Sequence, residues 1–301
     1  MLRRIDGFTY VASAALWILS AVAYGQPSSH WAFDGDATDS AGSRDLTLQG
    51  ATAFSASAAP GFGGTSLDLS AGGNGATYDV MGADSISGSY TVSMWVNPTA
   101  GSGSTGTFFG TRSGSDQSFD VKFQNPNTVH GDIGTGSAWL DTSADITNFD
   151  YQGGQWQHVA YSVQPGSYTA YVNGVARSTE AFGAGAPLLF DATHDIAIGA
   201  ARVNLSENFD GLVDEVKVFN SALTQSQVQQ AMVPDGYERI PDLFSTGVDS
   251  TGTPLGGGVA DPHYSLTVDP SGLGAATVPA DGFPIPPWIG NDSTSAWIGP
   301  D

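Results

Sequence analysis

One aspartate lies in the middle of a segment that reads as a buried β-strand. Alternation with a period of two places Asp214 on the same face as Val216 and Val218. The remaining charges of the segment, Glu215 and Lys217, fall on the other face, so we predict that Asp214 points toward the core. A buried carboxylate without a partner is costly. Asp214 therefore needs a metal ion, an arginine or several N–H donors, unless it only caps a turn at the strand end.

An acidic turn near the beginning of the chain could supply further oxygen ligands. The segment Asp34-Gly-Asp-Ala-Thr-Asp39 carries three carboxylates, the middle one at Asp36. Calcium binds carboxylate and turn carbonyl oxygens, which this segment offers, although the spacing does not match an EF-hand loop. The alternative is a solvated acidic turn that binds nothing.

The sequence lacks the motifs of nucleophilic catalysis, of zinc binding and of phosphate binding. There is no cysteine, and no serine lies in a Gly-x-Ser-x-Gly elbow between a strand and a helix. The histidines are dispersed, without the close spacing of zinc ligands. They are His30, His130, His158, His194 and His263. The glycine-rich stretches do not open helices after strands, which argues against a phosphate-binding loop.

The charge balance restricts the partners. The chain has 9 Lys and Arg against 30 Asp and Glu, a formal net charge of −21. Such a surface repels nucleic acid and anionic lipid headgroups. The acidic surface suits an extracellular protein, and the partner that we expect is an extracellular glycan or a surface protein.

The first residues have the pattern of an export signal. Arg3 and Arg4 give a basic start, an apolar run follows from Val11 to Ala23, and small residues precede Gln26. We predict a cleaved signal peptide over residues 1–25 and a secreted or cell-surface protein without a membrane span; an uncleaved signal anchor is the alternative.

The middle of the chain predicts an all-β fold. Short strand candidates recur with turn residues between them, and Asn173-Gly174 is typical of a type I′ hairpin turn. The candidates are His30–Phe33, Ser66–Leu69, Ala76–Val80, Tyr90–Asn97, Thr107–Gly110, Phe119–Phe123, Val129–Ile133, Trp156–Val163, Tyr168–Val172, Val175–Thr179, Asp195–Ile198 and Leu212–Phe219. One short helix is predicted, with a capping box from Thr224 to Gln227 and an end at Pro234.

Several of these segments occur in an order that resembles a known family. They are His30-Trp-Ala-Phe-Asp-Gly, Tyr90-Thr-Val-Ser-Met-Trp-Val-Asn97, Gln155-Trp-Gln-His-Val-Ala160, Tyr171-Val-Asn-Gly-Val175 and Asp210-Gly-Leu-Val-Asp-Glu-Val. Together they are similar to the LamG-like (laminin G type 3) group of the concanavalin A-like lectin/glucanase superfamily. The resemblance implies an antiparallel jelly-roll β-sandwich over residues 26–233, closed by one short C-terminal helix. It also implies a structural calcium held by Asp34, Asp39 and Asp214.

The same superfamily contains glucanases, whose laminarinase-like members carry Glu-x-Asp-x-Glu on one strand. No glutamate of this chain has an aspartate two residues later, so this arrangement is absent. A pair of aspartates could still act as acid and base. We expect a non-catalytic carbohydrate-binding or adhesion module; the alternatives are a structural spacer and a polysaccharide hydrolase or lyase.

Aromatic side chains are the expected platforms for sugar rings, because the C–H face of a sugar is apolar. The candidates, each of which could instead be a core residue, are Trp95, Trp139, Tyr151 and Tyr168. After a linker at residues 234–242, the segment 243–301 resembles the beginning of a β-sandwich module of bacterial PEP-CTERM-type exported proteins. We expect it to be a partial second β-module.

Overall fold

Two antiparallel sheets enclose the main hydrophobic core. The computed structural model describes residues 25–78, 84–99, 106–113, 117–125, 128–147, 154–234, 238–239 and 297–298. The strands, in chain order, are β1 (Ser29–Trp31), β2 (Thr47–Gln49), β3 (Ala53–Ser55), β4 (Ser66–Asp68), β5 (Gly75–Tyr78), β6 (Ile86–Ser87), β7 (Tyr90–Pro98), β8 (Gly106–Gly110), β9 (Gln117–Asn125), β10 (Thr128–Gly136), β11 (Trp139–Asp141), β12 (Gln157–Gln164), β13 (Ser167–Val172), β14 (Val175–Ala181), β15 (Leu188–Phe190), β16 (Ile196–Ile198), β17 (Gly211–Phe219), β18 (Glu238–Arg239) and β19 (Trp297–Ile298). The single helix among the described residues is α1 (Gln225–Ala231).

The strand order is that of a sandwich in which neighbours along the chain are often in different sheets. The larger sheet has eight strands in the order β14-β13-β12-β7-β17-β4-β3, with β1 also paired to β17. The second has seven strands in the order β11-β10-β9-β8-β16-β5-β2. Two small pairs, β15 with β6 and β18 with β19, complete the described strands. The predicted antiparallel β-sandwich with one short helix is therefore confirmed.

The core forms where the inner faces of the two sheets meet. Strand β7 contributes Val92, Met94 and Val96, as its alternation predicts, and strand β9 contributes Phe119 and Val121. Burial of such apolar surface is the main favourable term in folding, at roughly 25 cal/mol per Å². Every strand candidate from the sequence corresponds to an observed strand. The observed strands that are not among the candidates are β2, β3, β6, β11, β15, β18 and β19, each of two or three residues, a length that offers few positions to display a period.

Strand β17 departs from the alternation that the sequence predicts. Asp214 pairs with Trp95 and Lys217 pairs with Ser93, so three residue steps on β17 oppose two on β7. This is a β-bulge, and Glu215 adopts a positive φ of 51° within it. Trp95 and Ser93 lie on one face of β7, which means that Asp214 and Lys217 share the outer face.

The predicted orientation of Asp214 is therefore wrong. Val213, Val216 and Val218 belong to the main core, whereas Asp214 lies on the face that carries Lys217. The bulge reverses the phase of the strand once, and strict period-two reading cannot anticipate it. Asp214 is nevertheless buried, at 1% exposure, because other segments cover this outer face.

Helix α1 is one of those covering segments. Its capping box is confirmed: Thr224 accepts a hydrogen bond from the Gln227 amide, and the Gln227 side chain accepts one from the Thr224 amide. Val228 and Ala231 pack with Tyr171 and Phe219 on the outer face of the larger sheet. A helix of this length is stable only through such packing.

The Asn173-Gly174 turn, predicted from its sequence, packs against helix α1. Both residues have positive φ, at 50° and 72°, and the Gly174 carbonyl accepts a 2.9 Å hydrogen bond from Nε2 of Gln229. A Cβ at Gly174 would lie 2.7 Å from Cγ of Gln229 and 3.0 Å from Sδ of Met232. The turn and the helix are therefore packed too closely for a side chain.

The expectations for the two ends of the chain and for the domain boundaries stay predictions. The predicted signal peptide and nearly all of segment 243–301 lie outside the described residues. Within the described residues, no helix has the length and apolar character that a membrane crossing requires. The boundaries 26–233 and 234–242 stay predictions.

We predict that Gly174→Ala destabilises the domain by about 1–3 kcal/mol, through strain at positive φ and overpacking against α1. The matched control is Gly166→Ala in the β12–β13 turn, where φ is 86° and nothing lies within 4 Å of the added Cβ. Chemical denaturation of both variants measures the difference. Equal losses of stability would show that the helix contact contributes nothing.

Candidate functional site

A cluster of charged side chains covers part of the outer face of the seven-stranded sheet. Strand β9 directs Phe119 and Val121 into the core, so Asp120 and Lys122 emerge on the opposite face. Strand β10 places His130 directly opposite Lys122, and Asp132 directly opposite Asp120. We call Arg112, Asp120, Lys122, His130, Asp132, Asp145 and Glu207 the charged cluster.

Lys122 is the centre of the charged cluster. Its ammonium group lies 3.1 Å from Oδ1 of Asp120, 3.2 Å from Oδ2 of Asp132 and 3.1 Å from Oε2 of Glu207. Burial lowers the pKa of Lys122, but the three carboxylates outweigh burial and raise it above the ordinary lysine value. Lys122 is therefore charged and binds three separate segments of the chain together.

His130 is held between two more carboxylates. Its Nδ1 lies 2.6 Å from Oδ1 of Asp145, and its Nε2 lies 3.2 Å from Oδ1 of Asp132. Burial lowers the pKa of His130, yet the hydrogen bonds and charges of Asp132 and Asp145 raise it overall. Both ring nitrogens face acceptors, so the protonated imidazolium, which has two donors, fits this position.

The two aspartates of the charged cluster titrate differently. Burial raises the pKa of Asp120 to about 6, against the opposing charges of Lys122 and Arg112. For Asp132, burial also acts upward, but hydrogen bonds and charges from His130 and Lys122 outweigh it and lower the pKa to about 2. A separation of this kind is typical of acid–base pairs. However, Asp120 is 0% exposed, so its carboxyl group has no open path to a substrate.

The charged cluster continues to a half-buried aromatic ring. Nη1 of Arg112 lies 3.1 Å from Oδ2 of Asp120, and the guanidinium carbon lies 5.1 Å from the ring centroid of Trp139. Trp139 on β11 is partly exposed. At another side of the cluster, Glu207 has a positive φ of 55°, a backbone conformation that non-glycine residues rarely adopt. The ion pairs thus hold a polar face with an aromatic edge in a fixed arrangement.

A second candidate region lies at Asp214. Its Oδ2 accepts a 2.8 Å hydrogen bond from the Ala59 amide, and its Oδ1 accepts one of 2.9 Å from the Glu215 amide. Burial, together with the nearby charges of Glu215 and Asp34, raises the pKa of Asp214 to about 8, although the two amides oppose the shift. Two N–H donors thus leave this carboxylate under-compensated.

The loop between β3 and β4 joins Asp214 to Asp34. It donates the Ala59 amide to Asp214 and the Thr65 amide, at 3.0 Å, to Oδ1 of Asp34. A Cβ at Gly64 would overlap the Asp34 carboxylate, so the loop approaches Asp34 without a side chain. Phe33, which precedes Asp34, has a positive φ of 55°. The backbone is distorted beside both carboxylates, as at Glu215, which is common at ligand sites.

Asp39 has a different role. Its Oδ1 accepts hydrogen bonds from the amides of His30, Ala41 and Gly42, and its Oδ2 accepts one from the amide of Arg44. These four bonds fix the turn that follows β1. Among the residues that the structure describes, no group of three or more His, Asp and Glu side chains could hold a metal ion. Of the three predicted ligands, Asp34 and Asp214 are close enough for the charge of Asp34 to raise the pKa of Asp214.

The predicted aromatic platforms that the structure describes differ in their exposure to solvent. Trp95 is 2% exposed and Tyr168 is 1% exposed, because the β3–β4 loop and the segment that follows α1 pack against Trp95 and the main core encloses Tyr168. Rings buried to this extent offer no face to a sugar, which removes both from the candidates. Tyr151 lies outside the described residues. Trp139 is partly exposed and lies beside the charged cluster.

The charged cluster itself was not predicted. Its sequence signal is the alternation of charged and apolar residues in Phe119-Asp-Val-Lys-Phe123 and in Val129-His-Gly-Asp-Ile133. That pattern indicates an outer face with charges at every second position. It does not reveal that β9 and β10 pair, nor that Glu207 and Arg112 join them.

Comparison with known proteins identifies the family to which the fold belongs. The model of the laminin G 3 family, described as the concanavalin A-like lectin/glucanases superfamily, matches residues 69–229. The chain belongs to this superfamily. No curated protein matches the sequence.

Several solved structures have a fold similar to that of this domain. Domain 4 of AbnA, a GH43 extracellular arabinanase from Geobacillus stearothermophilus solved in complex with arabinotriose, has 27% identity and a TM-score of 0.51, over 69% of this chain and 98% of that one. The botulinum neurotoxin serotype D ligand binding domain, solved with N-acetylneuraminic acid, has 13% identity and a TM-score of 0.51, over 69% of this chain and 50% of that one. The chain thus spans about half the length of the neurotoxin domain, and that likeness concerns the fold alone.

We predict that Lys122→Met destabilises the protein by about 3–5 kcal/mol near pH 7, because buried carboxylates lose their cation. Lys122 lowers the pKa of Asp120, so the variant binds protons more readily in the folded state, and its loss of stability should grow as pH rises through about 6. Adding Asp120→Asn should recover part of the loss. Denaturant titrations at pH 5 and pH 8 measure both effects; a loss that is independent of pH would contradict this account.

Proposed function

We propose that this domain is an exported, non-catalytic carbohydrate-binding module, and that its binding face is the charged cluster with Trp139. The observation that carries the proposal is the ion-paired face itself. Buried ion pairs seldom add net stability, so a network of seven charged groups is better explained by the need to hold polar groups for a ligand. The arabinotriose complex of the related domain 4 supports a glycan as that ligand.

The chemistry of this face suits a sugar. The exposed edge of Trp139 offers an apolar surface to sugar C–H groups, and the carboxylates of Asp145 and Glu207, with side chains 27% and 37% exposed, are acceptors for hydroxyl groups. Because the ion pairs hold these groups in place, little conformational entropy is lost on binding.

Hydrolysis is the second candidate, since the pKa values of Asp120 and Asp132 are separated as in acid–base pairs. The complete burial of Asp120 argues against it. We expect the purified protein to release no reducing ends from arabinan or laminarin. Steady release that Asp120→Asn abolishes would establish an enzyme instead.

We predict that Trp139→Ala weakens glycan binding by about tenfold or more, as the loss of an aromatic stacking surface usually costs on the order of 1–2 kcal/mol. The control is Val175→Ala, which removes an exposed apolar side chain (47% exposed) from the far edge of the other sheet. Affinity electrophoresis in gels that contain arabinan compares the two. Equal binding by both variants would place the ligand elsewhere.

We further propose that calcium binds at Asp34 and Asp214, where it would supply the missing compensation for two neighbouring carboxylates. The donor set fits a hard cation, because carboxylate oxygens are ligands of the kind calcium accepts. Asp39 is omitted, since four amides already engage it. The role of the ion would be structural.

We predict that in chelator the stability of the protein falls as pH rises from about 4 to about 8. The folded state retains a proton on Asp214, whose pKa is raised to about 8, while the unfolded state releases it near the ordinary aspartate pKa of 3.8. Calcium should remove this fall, because it binds the ionised carboxylate. Melting curves across pH, with calcium and with chelator, measure the effect.

Two variants sharpen this test. Asp214→Asn should remove both the pH dependence and the response to calcium. Asp141→Asn, which alters an exposed turn of the other sheet where Asp141 accepts from Ser143, should change neither. Identical curves with calcium and chelator would exclude the metal.

A further inference from the structure

The charge balance of the proposed binding face restricts the glycan that it can accept. Each cationic group of the charged cluster is already engaged: Arg112 by Asp120, Lys122 by three carboxylates, and His130 by Asp132 and Asp145. Within the described part of this face, three cations meet four carboxylates. The face therefore offers acceptor oxygens, and its cationic donors are occupied.

An acidic sugar would be poorly accommodated there. A uronate or a sulfate needs a cation, and to obtain one it must draw Arg112, Lys122 or His130 away from a largely buried ion pair, which is costly. The surplus carboxylate and the net charge of −21 add repulsion at longer range. Glu207 is the most exposed carboxylate of the cluster, with 37% of its side chain accessible, so it would meet such a ligand directly.

A neutral sugar presents the opposite chemistry. Its hydroxyl groups donate hydrogen bonds, and bonds to an ionised carboxylate are stronger than those between neutral groups. Asp145 and Glu207 are accessible acceptors at two sides of the cluster, and Trp139 supplies the stacking surface. An acceptor-rich face of this kind complements a donor-rich ligand.

We infer that the face selects neutral, hydroxyl-rich glycans and excludes uronic-acid and sulfated polymers. The inference rests on the proposed function, because it specifies the ligand class of the same face. Its physical basis is the engagement of every cation of the cluster, so discrimination arises from charge and depends on Glu207.

The test uses pairs of polysaccharides that differ only in charge: a panel of uronans, each beside its carboxyl-reduced form, together with neutral arabinan. The full chain is titrated with each polymer at low and at high salt. We expect the neutral member of at least one pair to bind, and its uronan to bind at least about tenfold more weakly. High salt should narrow that ratio, because it screens repulsion at exposed groups.

A matched pair of variants identifies the source of the discrimination. Glu207→Gln keeps the size and one acceptor oxygen of the side chain but removes the exposed charge. It should therefore reduce the ratio of the affinity for the neutral polymer to that for its uronan. Glu180→Gln makes the same change on the exposed strand β14 of the other sheet and should leave the ratio as it is.

The outcomes separate the two proposals. A uronan that binds as tightly as its reduced form overturns the charge inference and leaves glycan binding standing. A preference for the neutral form that neither salt nor Glu207→Gln changes also overturns it, since the cause would then be stereochemical. Failure of every polymer to bind overturns glycan binding and this inference together.

Discussion

The free energy cost of burying a charge without a partner constrains how this sandwich arranges its polar residues. On the seven-stranded sheet, Lys122 offsets three carboxylates, each within 3.1–3.2 Å of its ammonium group. On the larger sheet, Oε2 of Glu215 lies 2.7 Å from Nε2 of His30 and 3.3 Å from Nζ of Lys217. Because an uncompensated charge in either place would cost several kcal/mol, the two networks restrict which segments can pack against each sheet.

The bulge in β17 links this constraint to the fold. It keeps the valines of β17 in the core while it places Asp214 and Lys217 together on the outer face. Lys217 then donates a 3.1 Å hydrogen bond to the Ala231 carbonyl at the end of α1, where a cation also complements the helix dipole. Burial of Lys217 thus requires the helix, and the helix requires the sheet beneath it. Asp214, on the same face, receives only amide donors among the described contacts, which is why we assign a cation to it.

The two outer faces of the sandwich differ in how far their polar side chains are exposed to solvent. On the larger sheet, α1 and the loop before β4 cover the polar residues, and His158 beneath them is neutral, since burial and the charge of Lys217 lower its pKa to about 3. On the seven-stranded sheet, the ion pairs extend to side chains that remain partly exposed, at Trp139, Asp145 and Glu207. Among the residues that the structure describes, the second face combines fixed polar groups with access to solvent, and for this reason we propose ligand binding there.

The sequence alone predicted the all-β class, twelve of the strands, the Asn173-Gly174 turn and the capped helix, because these depend on local periodicity and turn chemistry. The family motifs lie in the same local segments, so the superfamily was also recognisable. The tertiary structure alone decided the face of Asp214, because a single bulge residue reverses the phase of a strand. It also decided that Trp95 and Tyr168 are core residues, and it assembled the charged cluster from residues as distant as Arg112 and Glu207. These features depend on strand pairing and on what packs over each face, and a one-dimensional pattern of apolar and charged residues carries neither.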